Sequence, residues 1–261
     1  MKIIPLGCGS AFTMKDFQTN LIVEQNGKRL LIDAGTDIRF SLAAQGLSYK
    51  DIDAVYVTHL HADHIGGLEY LAFCSYFDPT KKGTIKLFGN QRVLDEAWNS
   101  TLRGGLRSVQ GKVVSLHDYF AVDAIADNSS FMWEGILFDI VQSVHIMDGF
   151  SIVPSYGLMI HEPESTRKIY FTSDAQFNPN QIKDFYRMAD VIIQDCETAP
   201  YLSGVHAHYS ELVTLDASYK AKMWLIHRQD NVANDFENLN KQAIDQGFKG
   251  FCQKGIDILG D

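Results

Sequence analysis

The segment Thr58-His59-Leu60-His61-Ala62-Asp63-His64-Ile65-Gly66-Gly67 places three imidazoles and a carboxylate inside six residues, His59 to His64. Imidazole nitrogen and carboxylate oxygen are the donors that zinc, iron and manganese accept. On an extended backbone, residues two apart face the same side, so His59 and His61 reach one metal ion together. Asp63 and His64 follow where the chain turns toward a helix, and offer a carboxylate and another imidazole to a second ion. Two dications roughly 3.5–4 Å apart repel strongly and need anionic bridges, such as a carboxylate and a shared hydroxide. Metal-bound water has its pKa lowered from about 15.7 toward 7, so such a pair holds a hydroxide nucleophile at neutral pH.

Short apolar runs must position this cluster. MKIIPLG, NLIVEQ and RLLIDAG each have strand length and read as an opening meander. A helix over Asp37 to Gln45 ends at Gly46, and the run Ala54-Val55-Tyr56-Val57 delivers the chain to the histidines. Helical spacing follows over Gly67 to Phe77, a strand at Ile85 to Phe88 and a helix over Gln91 to Leu102. Strand signals return between Val113 and Ile160, then at Lys168 to Thr172, with a helix from Pro179 to Met188 and a strand at Val191 to Ile193. No linker rich in Pro, Gly or Ser divides the halves, so a single domain over residues 1–261 is expected. Strands interleaved with helices in both halves predict an α/β fold: two packed sheets with helices on their outer faces, a four-layer αββα sandwich.

Composition narrows the function classes. Hydrophobic residues make up 46% and charged residues 21% of the 261 positions, enough for a sizeable core and unlike a disordered or fibrous chain. The formal charge of −9 repels nucleic acid and anionic membranes, so neither a long nucleic acid nor a membrane is the expected partner. Cys8, Cys74, Cys196 and Cys252 form no CxxC, which suits reduced thiols. The opening residues have no run of signal-peptide length and no stretch of about 18 apolar residues occurs, so a cytoplasmic location is expected.

The HxHxDH pattern after an apolar strand, with Gly66-Gly67 behind it, resembles the signature of the metallo-β-lactamase superfamily. The opening PLGCGSAF and the LIDAG segment are similar to the ribonuclease Z and phosphodiesterase-like branch. That resemblance implies two divalent metal ions per chain, iron or zinc, with manganese a further candidate. It implies that His59, His61 and His145 hold one ion, that Asp63, His64 and His227 hold the other, and that Asp174 bridges them. Asp33 resembles a residue that supports such a site through a ligand, and its other reading is a strand-end aspartate capping a turn. Ribonuclease Z-like proteins carry a His-Ser-Thr motif and an upstream His-Glu-Ala-Thr motif. Here His206-Ala-His208-Tyr and Asp195-Cys-Glu-Thr stand in those places, leaving open which of His206 and His208 faces the metals. Asp63, His206 and His208 are the candidate catalytic groups, for proton transfer and stabilisation of phosphoryl charge.

Around these sit residues of less consequence. Arg228 reads as an ordinary surface salt bridge, with contact to an anion as its alternative. Trp98, Trp133 and Trp224 read as core, and His117 and His161 as plain strand or loop residues. Phe150, Tyr156, Tyr201 and Tyr209 are placed at the site mouth.

Two functions share this site. The first is a binuclear metal-dependent phosphodiesterase-like hydrolase that uses a metal-bridging hydroxide on a small phosphodiester. The second, implied by a subgroup of the same branch, is a non-hydrolytic di-iron sensor that captures dioxygen and signals to chemotaxis machinery through a protein partner. A homodimer is the expected assembly in either case.

Overall fold

The computed structural model describes residues 1–260. Contacts cluster into two compact units, one built from Met1–Gly7, Phe17–Asp127 and the segment from Lys254, the other from Cys8–Asp16 and Asn128–Gln253. Each unit carries a mixed sheet, in keeping with the α/β class.

In the first unit the strands are β1 (Lys2–Gly7), β2 (Asn20–Gln25), β3 (Lys28–Ile32), β4 (Ala54–Val57), β5 (Lys86–Asn90), a short hairpin of β6 (Ser108–Val109) and β7 (Lys112–Val113), and β8 (Ala121–Ile125). The main sheet runs in the order β1-β2-β3-β4-β5-β8. Strands β1, β2 and β3 form the expected antiparallel meander. The β2–β3 turn is Asn26-Gly27, with φ of 53° and 74°, the left-handed pair that a two-residue hairpin loop demands. From β3 onward the pairing is parallel, with Leu31 beside Val55 and Val55 beside Leu87. Parallel strands are covered on both faces, and accordingly all four residues of β4 are buried.

The second unit holds β9 (Ser130–Trp133), β10 (Ile136–Met147), β11 (Ile152–His161), β12 (Lys168–Phe171), β13 (Val191–Asp195), β14 (Met223–Ile226) and β15 (Gly250–Phe251), in the order β15-β14-β13-β12-β11-β10-β9. Here too an antiparallel part, β9 to β12, gives way to a parallel part, β12 to β15. The helix Pro179–Met188 connects β12 to β13, starts on a proline whose fixed φ suits the first helical turn, and buries Ile182 and Tyr186. Those two pack with Tyr170, Ile192 and Leu225 in this unit's core, where each large side chain removed from water contributes roughly 1.5–3 kcal/mol.

One expected helix is interrupted. Gln91 to Leu102 is α-helical only over Gln91–Glu96, passes into a wide π turn over Ala97–Leu102 and resumes at Arg103–Leu106. Buried Ala97 and Leu102 lie five residues apart, so the extra residue of the wide turn returns Leu102 to the packed face.

The parallel halves of both sheets matter most for chemistry, because α/β sheets place their sites beyond the carboxyl ends of such strands. Asp33 follows β3, His59 lies two residues beyond β4, Asp174 lies just past β12, Asp195 ends β13, and His227 follows β14.

Candidate metal centre

In the first unit a hydrogen-bond chain fixes the imidazoles. Asp33 is fully buried, with φ of 63°. Its Oδ1 accepts from the Thr58 backbone N–H at 2.8 Å, and its Oδ2 accepts from Thr58 Oγ1 at 2.8 Å and His64 Nδ1 at 2.7 Å. Thr58 Oγ1 spends its proton on Asp33, so it accepts from His59 Nδ1, 2.9 Å away. Both His59 and His64 are thereby held as the tautomer whose Nε2 carries the lone pair, the form a metal requires. Burial pushes the Asp33 carboxyl above its ordinary range, against the pull of the His64 imidazole. Gly67 makes this closeness possible: its N–H donates to Ala34 O at 2.8 Å, and a Cβ there would come within 2.2 Å of the Gly35 carbonyl.

The donor atoms themselves have ligand spacing. His59 Nε2 lies 3.1 Å from His61 Nδ1, and His64 Nε2 lies 3.1 Å from Asp63 Oδ2. Donors bound at about 2.0–2.1 Å to one ion stand roughly 3.0–3.4 Å from each other, depending on whether the angle is octahedral or tetrahedral. Both pairs fall in that range.

The second unit gathers its donors from separate elements. His145 sits where the β10–β11 register shifts between Val144 and Ile146, a bulge that turns one residue out of the ladder. Its Nδ1 donates to Val205 O at 2.8 Å, so Nε2 is the open donor, and burial lowers its pKa, keeping the ring neutral. Asp174 Oδ2 has His227 Nε2 at 3.5 Å, His145 Nε2 at 3.8 Å and His206 Nδ1 at 3.9 Å. These separations are longer than hydrogen bonds, and His206 Nδ1 is committed to Asp195, which leaves the Nε2 atoms of His227 and His145 facing the Asp174 carboxylate. Asp174, Asp195, His206 and His227 each offer an atom within 4.8 Å of all the others. Ser173 and His227 adopt φ of 54° and 63°, left-handed conformations that cost on the order of 1–2 kcal/mol each and aim the side chains off the strand ends.

Asp195 holds this group as Asp33 holds the other. Its Oδ2 accepts from His206 Nδ1 at 2.9 Å and the Ala175 N–H at 2.9 Å, while Oδ1 lies 3.4 Å from His227 Nδ1. Burial alone would raise the Asp195 carboxyl, but His206 and His227 outweigh it and hold it below the ordinary carboxylate range. Burial likewise pulls the His206 ring down, and the Asp195 and Asp174 carboxylates more than reverse this, so His206 titrates above the usual histidine range.

The structure separates His206 from His208. His208 Nδ1 accepts from the Ser210 N–H at 3.2 Å and Nε2 donates to Ala199 O at 2.9 Å, capping the helix Tyr209–Leu212 with Glu211 as reciprocal partner. Both its nitrogens serve local backbone, and it is not brought to the donor group. Asp195, named in the sequence only within the segment that replaces the His-Glu-Ala-Thr motif and given no role there, belongs to this donor group; its signal is the apolar run Val191-Ile192-Ile193 with an aspartate two residues on, where Leu30-Leu31-Ile32 meets Asp33 directly.

Other expectations need correction. Arg228 does form an ion pair, with Asp16 at 2.9 Å, but it is buried rather than on the surface, and its guanidinium also donates to Cys252 O and lies over Phe236. Trp133 is buried, whereas Trp98 and Trp224 are half-buried. Of the four mouth aromatics only Tyr201 lines a cleft beside His206 and His227; Tyr156 is buried within β11, Tyr209 packs on Phe248, and Phe150 is fully exposed in the β10–β11 turn. His117 is exposed, and His161 pairs with Asp139 at 2.6 Å, outside both donor groups.

Comparison with known proteins agrees with this architecture. The chain has the metallo-β-lactamase fold: it matches a diphosphatase of the PhnP family with a TM-score of 0.74 at 20% identity, covering 100% of this chain and 98% of that one. It matches unliganded yeast PDE1 with a TM-score of 0.72 at 12% identity, covering 98% and 99%. Within that fold the chain belongs to the Anti-Pycsar protein Apyc1 family, whose profile matches residues 1–256. A protein of that name from Paenibacillus harenae is 33% identical over 237 residues, 89% of this chain and 91% of its own length. Another from Bacillus phage vB_BveM-Goe7 is 30% identical over 268 aligned residues, 99% and 98% of the two chains. Among the described residues no helix is long and apolar enough to cross a membrane.

Proposed function

We propose that the chain is a metal-dependent phosphodiesterase that opens a small cyclic nucleotide, with each of the two donor groups a metal site. The observation that carries this is Asp174 Oδ2, which the Nε2 atoms of His227 and His145 approach at 3.5 and 3.8 Å. The family resemblance completes the set: His59, His61 and His145 for one ion, Asp63, His64 and His227 for the other, Asp174 between them. A bound metal pair supplies a water of lowered pKa and neutralises phosphoryl charge. Asp63 accepts the proton of the attacking water. His206, charged more readily than a free histidine because Asp195 and Asp174 flank it, pairs with the developing phosphoryl charge and protonates the leaving oxygen. The net charge of −9 suits a short diester better than a polyanion.

The test loads the protein with zinc or manganese and offers a 3′,5′-cyclic nucleotide and bis(p-nitrophenyl) phosphate. Turnover that is abolished by Asp63→Asn supports the reading. Hydrolysis at background with every metal, together with an oxygen-dependent absorption band in iron-loaded protein, overturns it.

A further inference from the structure

A cleft of about 400 Å³ opens in the second unit, with His206 and His227 in its wall. One side of it is the loop Cys8–Asp16, which is fastened at many points to the residues just after His227. Ser10 N–H donates to Arg228 O and Arg228 N–H donates to Cys8 O; Asp16 pairs with the Arg228 guanidinium; Asp230 accepts from Thr13 Oγ1, Met14 N–H and Lys15 N–H. A loop so anchored is rigid, yet its apex side chain Phe12 is 92% exposed. Tyr201, which also lines the cleft, is 68% exposed. Leaving these two rings in water forgoes burial that the fold has not otherwise used, which is what a preformed apolar subsite looks like before its ligand arrives.

The geometry points to a stacking slot for the planar base of the substrate, formed by Phe12 and Tyr201 beside His206 and His227. This deepens the phosphodiesterase reading and rests on it: the phosphate meets the donor group while the base lies against the rings. Several acceptors of the lining are committed within the protein. Glu197 Oε2 accepts from Ser203 N–H at 2.9 Å, Gln229 Oε1 accepts from Thr198, and Asp230 holds the loop. The slot meets the base through its face, with Phe12 and Tyr201 as the two exposed rings of the lining. Stacking is tolerant of base identity, because every base has a π-face.

Calorimetric titration of the metal-loaded protein with adenosine 5′-monophosphate and with ribose 5-phosphate, which keeps the phosphate and lacks the base, tests the slot. The nucleotide is expected to bind at least about tenfold more tightly than ribose 5-phosphate. Phe12→Ala and Tyr201→Ala should each remove about a tenfold part of that preference, Phe12→Tyr and Tyr201→Phe should retain it, and ribose 5-phosphate should bind all variants alike. Both residues are exposed, so folding is not at stake. Equal binding of the two probes by the unaltered protein, or equal weakening of both by the alanine variants, overturns the slot and leaves the diesterase reading standing. A base preference that disappears in the variants, in a protein that hydrolyses no diester, supports the slot and overturns that reading instead.

Discussion

The two units reach the same end by opposite routes. In the first, His59, His61, Asp63 and His64 come from one loop and short helix, so the backbone of six residues sets their geometry. In the second, His145, Asp174, Asp195, His206 and His227 come from five separate segments, and only the sheet and its connections bring them together. The aspartates that hold the imidazoles differ accordingly. Asp33 and Asp195 are both buried at the ends of parallel strands, yet burial wins at Asp33, whose carboxyl is raised, and the imidazoles win at Asp195, which is lowered. One ring contacts the first and two contact the second. The local motif is thus held through a carboxylate that one ring contacts, and the dispersed group through one that two rings share.

The comparison can be broken most forcefully at Asp174, the carboxylate proposed to bridge the ions. Asp174→Ala should lower diester turnover by more than about a thousandfold and deplete bound metal, as read by elemental analysis. Retained metal with retained turnover would mean that the dispersed group is not a metal site. His206→Ala comes next, with a loss of about a hundredfold or more in kcat, the scale of a positioned proton donor. Asp195→Asn and Asp33→Asn sharpen the contrast: both should weaken metal affinity or activity by about 10–100-fold, Asp195→Asn the more, because it supports two rings. A larger effect at Asp33 in competitive metal titrations would reverse the argument. The smallest effect belongs to His208→Ala, which should cost about 0.5–2 kcal/mol in denaturant unfolding through loss of a helix cap and leave turnover within about twofold.

Legibility in the sequence divides along the same line. His59, His61, Asp63 and His64 are readable as donors because adjacency in sequence and the alternation of an extended chain already imply adjacency in space. His145, Asp174 and His227 are legible only through the family resemblance, since no local rule places the ends of β12 and β14 or the bulge of β10 beside one another. Asp195 is visible only as part of the segment that replaces a family motif, and no role follows for it because a strand-end aspartate has a plain structural reading. Spacing alone leaves open which of His206 and His208 joins the donor group, because the two share one short segment; the structure sets His206 against Asp195 and His208 at a helix cap. The strand meander and the helices Ile38–Ala44, Leu68–Phe77 and Pro179–Met188 are visible in apolar periodicity, while the wide turn at Ala97–Leu102 is not, because one inserted residue leaves the surrounding helical pattern intact.

The central claim, that the local and the dispersed donor group each bind metal, is tested most directly by metal content per chain in the reconstituted protein and in two variants. The account predicts about two ions per chain in the unaltered protein, and a loss of bound metal in Asp174→Ala as well as in a His59→Ala/His61→Ala variant. One ion per chain in the unaltered protein, or full metal content in either variant, would contradict it.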